Sequence, residues 1–88
     1  MIEPSKIIQK HPFSIRDPKF TLLLPRDHKF LSVAFQGDTP NFWIETKDSC
    51  DRVEFNFQLF GTGQDIPISA TYLTTFSFGP FVFHCYRV

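Results

Sequence analysis

Residues 53–59 alternate between apolar and polar side chains, and this alternation constrains the fold more than any other feature of the chain. Successive side chains of a β-strand point to opposite faces, so the pattern predicts a strand with one face buried and the other in water. Residues 61–63, Gly-Thr-Gly, follow as a flexible turn that ends the strand. The buried face is expected to comprise Val53, Phe55, Phe57 and Leu59.

The rest of the chain has the same character, because no window of about eleven residues has the i, i+3, i+4, i+7 spacing of an amphipathic helix. Prolines and short polar turns separate the predicted strands. Residues 20–24 are candidates for burial on both faces, and residues 29–47 are expected to form a hairpin. The predicted strands are residues 6–10, 20–24, 29–35, 42–47, 52–60, 71–78 and 81–88.

The connections between these strands are too short for parallel crossovers, which need a dozen or so residues and usually a helix. The sequence therefore predicts a single all-β domain over residues 1–88. The expected architecture is a small antiparallel meander of six or seven strands that forms a sandwich or a partly open barrel. Within residues 29–35, Leu31, Val33 and Phe35 are expected to share one face.

The chain of 88 residues is short for an independent domain, so its core must be dense. Twelve Phe, one Trp and two Tyr supply that density without a disulfide. The first residues lack the apolar region of a secretory signal, so Cys50 and Cys85 are expected to be reduced in a cytoplasmic protein. A membrane span is not expected, since the longest aliphatic run, residues 22–24, is far shorter than roughly 20 residues.

The formal net charge is zero, which argues against general nucleic-acid binding. The charges are unevenly distributed, since residues 1–30 carry an excess of +3 and residues 31–88 an excess of −3. This asymmetry suits an anionic ligand or head-to-tail self-association, or else the two halves neutralise each other within the fold. An open sheet of this composition would expose aromatic side chains and edges, so a homo-oligomer is expected.

The residues predict neither a metal site nor a catalytic one. His84 and Cys85 are neighbours on a predicted strand, so they point to opposite faces and cannot hold the same ion. His11, His28 and Cys50 have no ligand spacing with each other or with these two. No Ser or Cys lies in a glycine-flanked elbow, and no cofactor is expected.

The carboxylates nearest to a thiol do not predict catalysis either. Asp48 and Asp51 flank Cys50, where their negative charge would raise the pKa of the thiol and make it less reactive. In a polar turn these two carboxylates are expected to cap the backbone and to face solvent.

The best candidate for a ligand contact is the turn formed by Gly61, Thr62, Gly63 and Gln64. Glycine permits close approach of a ligand, and consecutive backbone amides bind anions. The turn lacks the lysine and the following helix of a phosphate-binding loop, so a plain strand-ending turn is the alternative.

Two further side chains are candidates for ligand binding. Trp43 falls on the face opposite Phe42 and Ile44, where it is either an exposed stacking surface or part of a second core. His84 shares its face with Val82 and Tyr86, and is either a ligand contact or a hydrogen-bonded core histidine.

The order of several short motifs resembles a family of small bacteriophage and prophage proteins without an assigned activity. The motifs are Leu-Ser-Val at 31–33, Phe-Trp at 42–43, Phe-Gly-Thr-Gly at 60–63, Tyr-Leu-Thr-Thr at 72–75 and Val-Phe-His-Cys-Tyr at 82–86. In that family a histidine follows Gly-Thr-Gly, whereas this chain has Gln64, so a metal or acid–base role does not carry over to this position. The resemblance implies a phage protein made in the host cytoplasm.

Taken together, the expectation is a non-enzymatic phage accessory protein that counters host defence. It would sequester a small anionic, nucleotide-type signal or block a host defence protein. The alternative is a structural or assembly module of the phage particle. A third possibility is an enzyme that acts on a nucleotide or sugar through His84 and a carboxylate.

Overall fold

Seven β-strands make up the fold, as a computed structural model describes it over residues 5–47 and 51–88. No helix with the length and apolar character needed to cross a membrane occurs in these two ranges. The strands are β1 (Lys6–Pro12), β2 (Lys19–Pro25), β3 (His28–Gln36), β4 (Thr39–Lys47), β5 (Arg52–Gly61), β6 (Thr71–Phe78) and β7 (Phe81–Arg87).

The strands form two antiparallel sheets, with the orders β1-β4-β3 and β2-β5-β7-β6. This arrangement confirms the predicted all-β class and is a sandwich. Among these seven strands of the described residues, only the β3–β4 and β6–β7 pairs are consecutive in the chain and adjacent in a sheet. The strand order therefore differs from a simple meander: β1–β2, β2–β3 and β4–β5 connect one sheet to the other. These crossings bring the apolar faces of the two sheets together.

Two-residue turns close both hairpins. Gln36 pairs with Thr39 around Gly37, and Phe78 pairs with Phe81 around Gly79. The two glycines have φ angles of 59° and 57°, the positive values that a type II′ turn requires at its first central residue. The predicted hairpin over residues 29–47 is confirmed, and its turn is shorter than the gap between the predicted strands 29–35 and 42–47.

Phe42 of β4 occupies the centre of the core between the sheets and is 1% exposed. Its ring centroid lies 4.6 Å from that of Phe57, 5.2 Å from those of Phe13 and Phe30, and 5.8 Å from that of Phe20. All four contacts are edge-to-face, the geometry that adds about 0.5–1.5 kcal/mol per aromatic pair beyond burial. The expected dense aromatic core is thus present.

Two details of the expected strand faces are wrong. Residues 20–24 are not buried on both faces, because Leu24 is fully buried whereas Leu23 is 57% exposed on the outer face of the four-stranded sheet. In β3 the register shifts between Phe30 and Ser32, so Leu31 is the extra residue of a bulge and is exposed. Phe30 instead packs with Val33 against the core.

The opposite charges of the two halves of the chain meet across the fold. Lys6 Nζ lies 3.3 Å from Glu45 Oε1, and Arg26 Nε lies 2.8 Å from Asp51 Oδ2. Both ion pairs join a cation from residues 1–30 to an anion from residues 31–88, so the fold partly neutralises the asymmetry. Asp48 and Cys50 lie outside the described residues.

Cys85 of β7 is fully buried between the sheets, and burial raises the pKa of its thiol from 9.0 to about 12. In a Cys50→Ser variant, which leaves Cys85 as the single thiol, we expect very slow reaction with an aromatic disulfide reagent at pH 8. The shift makes the thiolate fraction roughly a thousandfold smaller than that of an ordinary thiol. The thiol should react rapidly once the chain is unfolded in urea, and equal rates in both states would contradict its burial.

The same shift predicts a loss of stability at alkaline pH. The unfolded chain releases the Cys85 proton near the ordinary pKa of 9.0, whereas the folded chain holds it to about 12. Burial of the neutral thiol therefore stabilises the fold below pH 9, and this contribution is lost between pH 9 and 12. Urea unfolding of a Cys85→Ala variant should show a smaller decline over this interval than the parent chain.

Candidate ligand-binding face

His84 lies on the outer face of the four-stranded sheet. It pairs with Phe60 of β5 on one side and with Thr75 of β6 on the other. The neighbouring Cys85 points the opposite way into the core, as the alternation predicts. The imidazole is half-buried and so is held between two strands with one side open to solvent.

Both ring nitrogens of His84 are hydrogen-bonded to hydroxyl groups. Nε2 lies 2.9 Å from Thr62 Oγ1, and Nδ1 lies 2.8 Å from Thr75 Oγ1. Thr75 Oγ1 in turn lies 2.8 Å from the Tyr72 hydroxyl. We call Thr62, His84, Thr75 and Tyr72 the hydroxyl–imidazole network. Its two ends, at Thr62 and Tyr72, are exposed and are available to hydrogen-bond a ligand.

Aromatic rings lie beside the network on the same face. The Tyr86 ring packs edge-on against Phe60 at a centroid distance of 5.5 Å and against Tyr72 at 5.4 Å. Phe60 is buried although it does not belong to the core cluster between the sheets. Tyr72 is 53% exposed and offers a ring surface next to its hydroxyl.

The Gly-Thr-Gly turn is closed by Gln64. The Gly61 amide donates to Gln64 Oε1 at 2.8 Å, and the Gln64 amide donates to the Gly61 carbonyl at 3.2 Å. Two of the amides expected to cradle an anion are therefore already used within the turn. The side chain of Gln64 shapes the turn, and Thr62 is the member of the turn that meets His84.

Gly63 has a φ of 91°, a conformation that side chains other than glycine rarely adopt. We expect Gly63→Ala to lower the free energy of unfolding by about 1–2 kcal/mol, measured by urea denaturation. Gly61→Ala is the matched control, because Gly61 has no positive φ and an added Cβ meets Gln64 only at an ordinary 3.7 Å. Equal effects of the two substitutions would contradict this geometry.

Trp43 does not belong to this face. It lies on the outer face of the three-stranded sheet, opposite the buried Phe42 and Ile44, and its Nε1 donates to the Ala34 carbonyl at 3.3 Å. The two sheets pack by their inner faces, so Trp43 and His84 lie on opposite outer faces of the sandwich. The prediction that both contribute to ligand binding therefore does not describe a single site.

Thr75 and Tyr72 are members of the network that the sequence patterns did not single out. The signal was nevertheless present in the turn at Gly79. With Phe78 paired to Phe81, counting outward along both strands pairs Thr75 with His84. The same counting does not give the partner of Tyr72, because the register shifts between Tyr72 and Thr74.

The other two histidines lie in the three-stranded sheet. Burial lowers the pKa of His11, and the positive charges of Arg52 and His28 lower it further. The Nδ1 of His28 is 2.7 Å from the Pro25 carbonyl, and its ring meets the Phe55 ring edge-on at 4.7 Å. Within residues 5–47 and 51–88, no group of three or more His, Cys, Asp or Glu side chains is placed to hold a metal ion.

Comparison with known proteins assigns the chain to a family without assigning it an activity. Residues 4–88, almost the whole chain, match a family described as a domain of unknown function, DUF7352. No curated protein and no solved structure matches the chain.

Proposed function

We propose that this chain, which belongs to the DUF7352 family, is a non-enzymatic binding protein that captures a small anionic, nucleotide-type ligand. The binding site in this proposal is the outer face of β6 and β7 together with the turn after β5. The observation that carries the proposal is the hydroxyl–imidazole network, in which Thr62 and Thr75 converge on His84 from separate parts of the chain.

The chemistry of the network supports an anionic ligand. Hydroxyl groups at Thr62 and Tyr72 donate hydrogen bonds to oxyanions, and histidine can add a positive charge near neutral pH. The exposed ring of Tyr72 adds a surface on which a nucleobase can stack. A nucleotide combines these two properties, since it carries phosphate oxygens and an aromatic base.

The partners of His84 favour binding over catalysis. In hydrolases of the serine–histidine type, a carboxylate orients the histidine and stabilises its protonated form. In this chain the corresponding nitrogen, Nδ1 of His84, is hydrogen-bonded to the Thr75 hydroxyl and not to a carboxylate. The third possibility, an enzyme that uses His84 with a carboxylate, has no such carboxylate among the hydrogen bonds that His84 makes within residues 5–47 and 51–88.

The resemblance to phage proteins gives this proposal its setting. A phage protein that captures a nucleotide signal in the host cytoplasm would counter host defence by lowering the free concentration of that signal. Blocking a host defence protein through the same face is the related form of the proposal.

The test is incubation of the purified chain with ADP-ribose and with cyclic nucleotides, followed by thermal unfolding and gel filtration. We expect at least one of these ligands to raise the unfolding temperature and to be retained through gel filtration. His84→Gln and Thr62→Val should weaken its binding about tenfold or more, because each removes a hydrogen-bond partner at the site. Trp43→Phe, on the opposite face, is the control and should bind as the parent chain does. No thermal shift and no retained ligand would refute capture of these nucleotides.

We also propose self-association. Strands β1 and β6 are sheet edges, and edge strands have backbone groups that pair readily with another chain. Sedimentation of the purified chain should give a mass above the 10.3 kDa of one copy. A monomer at all concentrations tested would contradict this part of the proposal.

A second candidate function is a structural or assembly module of the phage particle. The exposed apolar side chains around the β6–β7 turn, Phe78, Phe81 and Val82, favour it, because such groups are typical of protein–protein contacts. Mass spectrometry of purified particles separates the two candidates, since the module should be found there and the ligand-capturing protein should not.

A further inference from the structure

We infer that capture of an anion by the hydroxyl–imidazole network is coupled to uptake of a proton by His84. The preferred ligand is then one whose oxyanions accept hydrogen bonds from both Thr62 and Tyr72. This inference rests on the proposed function and adds the protonation state that the site requires.

The coupling follows from the way hydrogens are shared in the network. A neutral imidazole has one nitrogen that donates and one that accepts. If Nδ1 carries the hydrogen, it donates to Thr75, Thr75 donates to Tyr72, and the Tyr72 hydroxyl is free to donate to a ligand. Nε2 then accepts a hydrogen bond from the Thr62 hydroxyl, so Thr62 has no hydrogen left to donate to the ligand.

The other neutral tautomer reverses the direction of every bond. Nε2 then donates to Thr62, whose own hydroxyl hydrogen is free to donate to a ligand. At the other end, Tyr72 donates to Thr75 and Thr75 donates to Nδ1, so Tyr72 offers only lone pairs. With all three internal bonds kept, a neutral His84 therefore presents a donor at one end of the network and an acceptor at the other.

Protonation of His84 removes this restriction. Both ring nitrogens of the imidazolium donate, one to Thr62 and one to Thr75. The Thr62 hydroxyl is then free to donate to the ligand. At the other end, Thr75 donates to Tyr72, and the Tyr72 hydroxyl donates to the ligand. The imidazolium also adds a positive charge close to the bound oxyanion, which favours the same state. An anion held at both ends therefore binds the protonated form more tightly.

Among residues 5–47 and 51–88, few other charged groups lie on this face of the sheet. The strands beside His84 pair it with Phe60 and Thr75, and Gln58 pairs with Tyr86 on the same face. The nearest acidic side chain on the outer face of β5 is Glu54, several residues along the strand, and Asp65 follows the turn. The titratable and charged groups from the surrounding elements are Tyr72 of β6, Tyr86 of β7, Glu54 of β5, Lys19 of β2 and Asp65.

The experiment is an NMR titration of the histidine ring signals of the full chain between about pH 5.5 and 8.5, with and without ADP-ribose. The two phosphates of this probe stay ionised over the whole range. We expect the midpoint of the His84 titration to rise by about 0.5 pH unit or more when the ligand is bound. His11 and His28, which lie in the other sheet, are internal controls whose midpoints should not move.

A Thr62→Val variant separates the two ends of the network. It should bind ADP-ribose more weakly and show a smaller rise of the His84 midpoint than the parent chain. One neutral tautomer then satisfies the remaining donor, so only the attraction between the imidazolium and the bound oxyanion still favours protonation. If ADP-ribose perturbs the signals of Thr62 and Tyr72 in the parent chain while the His84 midpoint stays fixed, the inference is wrong and the proposed function stands. If no signal of the network responds to ADP-ribose or to the cyclic nucleotides, nucleotide capture at this face and its coupling to protonation are both refuted.

Discussion

Replacing Phe42 with alanine is expected to abolish most of the stability of the fold. The side chain is 1% exposed and meets the ring of Phe13 between β1 and β2 and three aromatic rings from the two sheets. Phe-to-Ala substitutions in protein cores cost about 3–5 kcal/mol, and small domains have only about 5–15 kcal/mol in total. Urea denaturation followed by tryptophan fluorescence should show a midpoint shifted far towards zero denaturant, or no folded baseline.

Phe81→Ala is the matched control for this prediction. Phe81 is 60% exposed beside the β6–β7 turn, so its removal leaves no enclosed cavity. We expect a change in the free energy of unfolding of less than about 0.5–1 kcal/mol. A comparable loss from both substitutions would show that Phe42 is not the centre of the core.

The second large effect is expected at Leu24, with its neighbour as the comparison. Leu24 is fully buried at the end of β2, whereas Leu23 is 57% exposed on the outer face. Leu24→Ala should therefore lower the free energy of unfolding by about 2–5 kcal/mol. Leu23→Ala should change it by no more than about 0.5 kcal/mol, as is typical of surface positions.

This pair of variants tests the packing of β2 directly, because the residues are adjacent and chemically identical. Chemical denaturation of both variants in the same buffer gives the two values. If Leu23→Ala were as costly as Leu24→Ala, β2 would be covered on both faces, and the sandwich would need a further layer or a partner over β2.

Much of the fold was predictable because its signals are local. Alternation over residues 53–59 correctly placed Phe57 and Leu59 in the core, and glycine at the turns marked both hairpins. The leucines at residues 22–24 misled because an uninterrupted apolar run fits a strand buried on both faces as well as one that exposes its middle residue. Only the position of β2 in the sheet distinguishes these two cases.

The bulge in β3 shows a second limit. Alternation places Leu31 with Val33 and Phe35, but the register shift after Phe30 inserts one residue and changes the face of Leu31. A bulge depends on how the partner strand packs, and the residues from Phe30 to Ser32 contain no sequence signal that predicts one. The order of strands between the two sheets is likewise decided by which apolar faces pack together.

The candidate site could be predicted only in part. Thr62 and His84 were singled out separately, from a turn and from a strand, and the structure places them 2.9 Å apart. The chemistry of Trp43 also suits a ligand contact, but the sandwich places this side chain on the other outer face. Which candidates meet depends on which sheet each strand joins, and this is a property of the whole fold.

Ligand capture by the hydroxyl–imidazole network is tested most directly by mapping the binding of ADP-ribose and cyclic nucleotides with backbone amide NMR of the full chain. We expect the signals that shift most to belong to Thr62, Thr75, His84 and Tyr72, with those of Trp43 and its neighbours unchanged. Shifts centred on Trp43, or no saturable shifts with any of these nucleotides, would contradict ligand capture by this network.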